Sequence, residues 1–322
     1  MSQPSLEAFS RLVDDQLALI EERLLAVVQA DNPYVSEAAR HVISAGGKRF
    51  RPALVVLTSQ FGQSVPTDRL VRAALVMELT HVASLYHDDV MDEAQLRRAA
   101  PSANLRYGNS VAILVGDFLF SRASSEVALL GTDYVALQAR TFARLVQGQI
   151  AETLGPGPGA DPMEHYLRVI EDKTASLIEA SARFGAMVAQ STPQVLDALA
   201  RFGHEIGMAF QLSDDLIDVT SDVTGKIPGT DLREGVPTLP VLMLGDSPQD
   251  RDLRRRIADG LHSDAEVASV VGTLRESPVI ERSRSVIAQH AEQARGYLNP
   301  LPEGAPKQAL IRLCEDVVDR SR

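Results

Sequence analysis

The chain has 322 residues, 45% hydrophobic and 23% charged, enough apolar material for one large core, and no internal linker divides it. With 43 acidic against 32 basic residues the formal net charge is -11, which argues against broad nucleic-acid binding and makes any local cluster of cations informative. The single Cys314 excludes an internal disulfide, the amino terminus lacks the basic and apolar segments of a signal peptide, and no apolar run is long enough to span a bilayer, so a cytoplasmic location is expected.

Apolar residues recur at helical spacing through nearly every segment and no series of alternating strands stands out, so an all-α fold is expected. A stripe from Leu6 through Leu12, Leu17, Ile20 and Leu24 to Val28 marks a first helix, ended by a loop carrying Asn32 and Pro33. A second helix over residues 35 to 45 stops at Gly46-Gly47, and Pro52 fits the first turn of a third that runs to Ser59. Thr67 or Asp68 is expected to cap a long helix reaching Asp92. On that helix Asp88 and Asp92 are one turn apart and face the same way, while Asp89 points about 100° aside. Like charges so placed repel, and they sit at the negative pole of the helix dipole, so the arrangement calls for a cation. For one such cluster a solvated acidic helix end is the ordinary alternative.

Further helices are expected over residues 110 to 130, 133 to 153, 162 to 190 and 193 to 219, with Gly155-Pro-Gly-Pro-Gly159 a flexible connection. The last of them carries Asp214-Asp-Leu-Ile-Asp218, the same acidic spacing again at the end of an apolar run. Two such faces opposed across a cavity would be costly to fold without metal, and hard oxygen donors in small number suit Mg²⁺ gripping a polyanion, most simply a diphosphate. An irregular stretch from Thr220 to Val236 follows, long enough to be taken as functional, and shorter helices are placed near 237 to 246, 249 to 260, 264 to 274, 277 to 298 and 304 to 320.

The basic residues come in small groups. Gly46-Gly-Lys-Arg-Phe-Arg-Pro52 packs three cations into a helix-to-helix turn whose glycines let a ligand approach the backbone. Arg97-Arg98 follows the first acidic cluster, and adjacent arginines can turn their guanidinium forks to different phosphates. Lys173-Thr174 and Lys226 are by themselves ordinary surface residues. His81 lies two turns before Asp88 on nearly the same face and can line the same cavity, although a lone helical histidine is more often a satisfied core residue.

Taken in order, GGKRFRP, HDDVMDEAQLRR, FQLSDDLIDV and GKIPGTDLREG resemble the trans-isoprenyl diphosphate synthases, or polyprenyl synthetases, over nearly the whole chain. The resemblance implies an all-α isoprenoid-synthase bundle around a central cavity, one domain over residues 1 to 322, usually a homodimer. It also implies a prenyltransferase that condenses isopentenyl diphosphate onto an allylic diphosphate. By the same resemblance Asp88 and Asp92 hold Mg²⁺ from one side and Asp214, with Asp215 and Asp218, from the other. Lys48, Arg51, His81 and Arg98 then hold isopentenyl diphosphate, while Arg97, Lys173, Thr174, Gln211 and Lys226 hold the allylic partner. Asp88, Asp92, Asp214, Lys173 and Lys226 carry the catalysis.

Two positions depart from the family pattern. Ala99 stands where Gly often follows the arginine pair, which is expected to matter little because Ala tolerates most loop conformations except positive φ. Val236 stands where many members have a lysine near the allylic diphosphate, so one cation is missing there.

The implied chemistry is ionisation of an allylic carbon–oxygen bond, attack by the double bond of isopentenyl diphosphate, and loss of a proton to the departed diphosphate. It requires no side-chain general base. A class I terpene cyclase would need no second diphosphate pocket, and a non-catalytic subunit of a two-component synthase would have lost an acidic motif. The growing hydrocarbon must run from Asp88 back along its helix, past Ala83 and Ser84 and then Thr80 and Met77, with Phe118 and Phe120 on a facing helix. In the family a bulky aromatic near Ala83 stops elongation early. Both residues here are small, so a heptaprenyl to decaprenyl product is expected over a farnesyl or geranylgeranyl one, with peripheral membrane contact at product release.

Overall fold

Pro33 opens a helix rather than belonging to the loop expected there, and Asn32 caps it. In the computed structural model, which describes residues 6–220, 229–233 and 235–320, Asn32 Oδ1 accepts from the Tyr34 amide at 2.9 Å and Pro33 takes the first helical position, where its missing N–H is no loss. In chain order, α1 (Leu6–Val27), α2 (Pro33–Ser44), α3 (Phe50–Thr58) and α4 (Thr67–Met91) lead to a short antiparallel pair, β1 (Leu96–Arg97) and β2 (Ala100–Pro101). Then come α5 (Ala103–Tyr107), α6 (Asn109–Ala128) and α7 (Thr132–Leu154). Helix α8 (Pro162–Ile170) passes through a π-helical turn (Glu171–Ala175) into α9 (Ser176–Val188), and α10 (Pro193–Thr220) follows. The remainder is α11 (Thr230–Arg233), α12 (Leu239–Leu242), α13 (Pro248–Ala258), α14 (Asp264–Arg275), α15 (Val279–Tyr297) and α16 (Ala305–Asp319).

The fold is all-α, and four further local expectations need correction. Thr67 and Asp68 do not cap α4: the carbonyl of Pro66 already accepts from the amides of Arg69 and Leu70, and Asp68 instead pairs with Arg23 and Arg72. The helix expected over residues 162 to 190 widens into the π turn at Glu171–Ala175. The segment expected as a helix from 237 to 246 is helical only over Leu239–Leu242. Of the stretch expected to be irregular from Thr220 to Val236, Thr220 still belongs to α10 and Thr230–Arg233 form α11, while residues 221–228 and 234 lie outside the described residues.

Chain contacts divide the molecule into two compact units. The first comprises Met1–Ala143, Leu177–Gly203 and Pro300–Leu310. Its middle helix is α4, whose buried residues, among them Leu70, Val71, Ala74, Met77, Val82 and Tyr86, occupy every side of the helix, so α4 is covered all round. It packs most extensively on α6 and also on α3 and α1. Tyr86, fully buried, donates its hydroxyl to Ala38 O at 2.5 Å and accepts from Val42 N at 3.3 Å, tying α2 to the same core. The second unit comprises Arg144–Ser176, His204–Asn299 and Ile311–Arg322. There α12 packs on α15 and α8, and α14 on α15. Asp161 starts α8 by accepting from Met163 N at 2.8 Å, with Pro162 at the first helical position. Among the described residues no helix is long and apolar enough to cross a membrane.

Candidate functional site

Each acidic motif lies within one unit. In the first unit Asp88 lies in the last turn of α4 and Asp92 is its C-cap, with the Asp92 amide donating to Asp88 O at 2.8 Å. The helical register therefore runs through both, and their carboxylates leave the same side. Asp89 turns away and is fully buried, where Arg97 donates to its Oδ1 through Nε at 2.7 Å and Nη2 at 2.5 Å. The other oxygen, Asp89 Oδ2, is buried and finds no donor among the described residues.

Arg97 and Arg98 stand on the small β pair. Arg98 and Ala99 are the two central residues of its hairpin, with φ of 54° and 61°, which is the pattern of a type I′ turn. The expectation that Ala99 would be harmless is therefore overturned: it occupies the left-handed region that a β-carbon disfavours. Arg98 reaches back to α2, donating through Nη1 to Val42 O at 3.0 Å and also to Gly46 O. Gly46 and Gly47 have φ of 96° and 142°, which glycine accepts without strain. Lys48 is exposed beside them. His81, on α4, keeps some solvent contact yet lies deep enough that loss of hydration, followed by the charges of Arg51, Arg98, Arg97 and Arg49, holds its imidazole well below the ordinary range. A neutral His81 offers one donor and one acceptor rather than a charge. On the same helix Ala83 and Met77 are fully buried, and Thr80 and Ser84 nearly so. Phe120 packs against Phe142 with ring centroids 4.2 Å apart and the rings tilted by 49°, and it lies 5.7 Å from the ring of His87, whereas Phe118 lies under Arg122 at 4.8 Å.

The second unit repeats the division of labour. Asp214 is exposed and accepts from Arg320 Nη2 at 2.6 Å. Asp218, one turn on, accepts from the Asp231 amide at 3.3 Å through Oδ2, and its carbonyl from Gly229 at 2.9 Å, so the chain after α10 folds back on it. Asp215 turns inward and is buried, held by Tyr166 Oη at 2.5 Å and Gln211 Nε2 at 2.7 Å. Loss of hydration pushes its carboxyl up to about 6, against the two hydrogen bonds, and the neighbouring Asp214 and Asp218 charges add to the rise. Thr174 Oγ1 donates to Gln211 Oε1 at 3.0 Å, which joins the π turn to α10. Lys173, in the same turn, pairs with Glu152 of α7. That approach is close because Gly148 has no side chain: a β-carbon there would stand 2.6 Å from the Lys173 amide nitrogen. Lys226 lies outside the described residues, and Val236 is 36% exposed.

Among the described residues no three imidazole, thiol or carboxylate groups converge as a self-sufficient metal cage. Each motif instead offers a pair of outward carboxylates, the small donor set with which Mg²⁺ is held when substrate phosphate and water complete its shell. Sequence reasoning missed Glu152, Tyr166 and Arg320, which carry no local signal: their partners lie 21, 49 and 106 residues away.

The sequence profile described as polyprenyl synthetase matches residues 32–274. A nonaprenyl diphosphate synthase of Mycobacterium tuberculosis is 44% identical over 316 residues, covering 97% of this chain and 94% of its own. The crystal structure of a geranylgeranyl pyrophosphate synthase from Corynebacterium glutamicum, complexed with calcium and isoprenyl diphosphate, superposes with a TM-score of 0.87 at 41% identity and covers 99% of both chains. A polyprenyl synthase from Caulobacter crescentus, also with calcium and isoprenyl diphosphate, gives a TM-score of 0.90 at 29% identity over 100% of this chain and 99% of its own.

Proposed function

The chain belongs to the polyprenyl synthetase family and is a prenyltransferase, and from this premise we propose that it condenses isopentenyl diphosphate onto an allylic diphosphate and extends the product to a long all-trans chain, heptaprenyl to decaprenyl. Asp88 and Asp92 of the first motif and Asp214 and Asp218 of the second would hold Mg²⁺. When bound, the metal would neutralise the leaving diphosphate and ease rupture of the allylic carbon–oxygen bond. Lys48, Arg51 and Arg98 supply fixed charge to isopentenyl diphosphate, and neutral His81 a hydrogen bond. Arg97, oriented by Asp89, acts on the allylic diphosphate with Lys173, Thr174 and Gln211, and with Lys226 beyond the described residues. Asp215, held by Tyr166 and Gln211, fixes the turn of α10 from which Asp214 and Asp218 project. Residues 1 to 322 are taken as one catalytic domain in this proposal.

The observation that carries the product length is the pair Ala83 and Ser84, small and buried one turn before Asp88 on α4. Each further turn adds about 5.4 Å, close to one extended isoprene unit, and the path continues past Thr80 to the deformable Met77. Overall likeness does not decide length, since relatives named for nonaprenyl and geranylgeranyl products are 44% and 41% identical. The test is chromatography of the dephosphorylated product made from farnesyl and excess isopentenyl diphosphate. Chains of 35 to 50 carbons are expected, and a product stopping at 15 or 20 would refute the long-chain reading.

A homodimer is part of the proposal. Leu114 and Ile113 on α6 are 66% and 43% exposed, an apolar face that a second copy would cover. A cytoplasmic location fits the single buried Cys314, and the proposed product, being greasy, would leave at a membrane surface.

A further inference from the structure

Arg49 is the middle cation of the Gly46–Pro52 turn, and its guanidinium is fully occupied. Its Nε donates to Glu21 Oε2 at 2.5 Å, and Nη2 donates to Glu21 Oε1 at 2.7 Å and Ile43 O at 2.9 Å. Nη1 donates to Glu78 Oε1 at 3.1 Å and Gly46 O at 3.2 Å. A guanidinium has five N–H donors, so none is left for a diphosphate. The side chains of Arg49 and Glu78 are only 10% and 2% exposed, where salt screens poorly, and the pairing with Glu21 is bidentate. Arg49 also has a φ of 46° at the N-cap of α3, a left-handed conformation that a side chain tolerates only when its surroundings impose it.

The backbone so held is the one that Arg98 reaches. Arg49 and Arg98 both donate to Gly46 O, and a β-carbon on Gly47 would stand 2.9 Å from Arg49 Nη1 and 2.8 Å from Arg98 Cζ. Two guanidiniums thus converge on one dipeptide, with Lys48 beside them and Arg51 in the first turn of α3. Without counter-charge these cations would repel and splay the turn. Glu78, three residues before His81 on α4, and Glu21 on α1 supply that counter-charge.

We propose that Glu21, Arg49 and Glu78 form a positioning clamp for the isopentenyl diphosphate subsite, fixing the Gly46-Gly47 turn so that Lys48, Arg51 and Arg98 meet the diphosphate already assembled. The proposal rests on the reading of those three cations as that subsite. Arg49 itself is a positioning residue and does not touch substrate.

The test combines calorimetric titration with isopentenyl diphosphate, without allylic substrate, and steady-state kinetics of Glu21→Gln, Glu21→Asp, Arg49→Lys and Arg51→Ala. Glu21→Gln changes a side chain that is 38% exposed and keeps its size, so the variant is expected to fold. Losing one charge-assisted bidentate contact should weaken isopentenyl diphosphate about tenfold in Glu21→Gln and Arg49→Lys, with the allylic KM moving less than about twofold and kcat at saturation retained. Glu21→Asp, which keeps the charge, should recover part of the loss. A lower melting temperature with unchanged isopentenyl diphosphate affinity would reduce the triad to a structural ion pair and overturn the proposal, as would equal losses for both substrates. Should Arg49→Lys not fold, Glu21→Gln decides alone. If Arg51→Ala leaves isopentenyl diphosphate binding intact, the subsite assignment is wrong and the clamp falls with it. If Arg51→Ala weakens binding and Glu21→Gln does not, the clamp alone is refuted.

Discussion

At the scale of single residues, the two acidic motifs share one design: the outer aspartates project and the inner one is buried against a partner, Asp89 on Arg97 and Asp215 on Tyr166 and Gln211. The helical period alone places the inner residue aside from the other two, and that much is legible in the sequence. What it meets there is not, because Tyr166 lies 49 residues from Asp215. Ala99 shows the same limit. Its φ of 61° comes from the two-residue hairpin, and nothing in Arg97-Arg98-Ala99 announces a turn that normally favours Asn-Gly. Ala99→Gly should therefore stabilise the protein by about 0.5–1 kcal/mol, relief of the left-handed strain outweighing the entropy glycine adds to the unfolded chain. Urea denaturation of the two proteins checks this, and a destabilised glycine variant would mean that the turn is not strained.

Among the elements, α4 carries most of the site: His81 and the small residues Ala83 and Ser84 on its length, Asp88 in its last turn and Asp92 at its cap. Its extent was predictable because the apolar residues keep helical spacing from Thr67 onward, whereas its start was misread because Pro66 O, not a side chain, receives the first amides. If the hydrocarbon runs back along this helix, Ala83→Phe should shorten the product while leaving the first condensation nearly intact. Overpacking a fully buried position should also lower stability by about 1–3 kcal/mol. Product chromatography and a melting curve of the same variant report the two effects separately, and an unshortened product would remove α4 as the ruler. The π turn at Glu171–Ala175 is the element the sequence concealed. Its residues have ordinary helix formers on both sides, and the widening accompanies the close approach of Gly148 to Lys173.

For the whole molecule, each of the two units supplies one pair of outward carboxylates, and the proposed reaction needs both. Asp88→Ala and Asp214→Ala should each lower turnover by roughly 10²-fold or more, the usual loss when one charge-stabilising group is removed, and chelation of divalent metal should abolish it. Turnover near that of the parent in either variant, measured with farnesyl and isopentenyl diphosphates in Mg²⁺, would refute the metal assignment. The sequence by itself determined the all-α class, the paired i, i+4 carboxylates and the basic turn, because helical period and motif spacing are set within one or two turns of chain. Only the tertiary structure decided which charges are already paired. Arg49 is taken by Glu21 and Glu78, 28 and 29 residues away, Arg97 by Asp89, and Asp214 accepts from Arg320 across 106 residues. The packing of distant helices selects these pairs, and where it buries them, as with Arg49 and Glu78, it removes their water together.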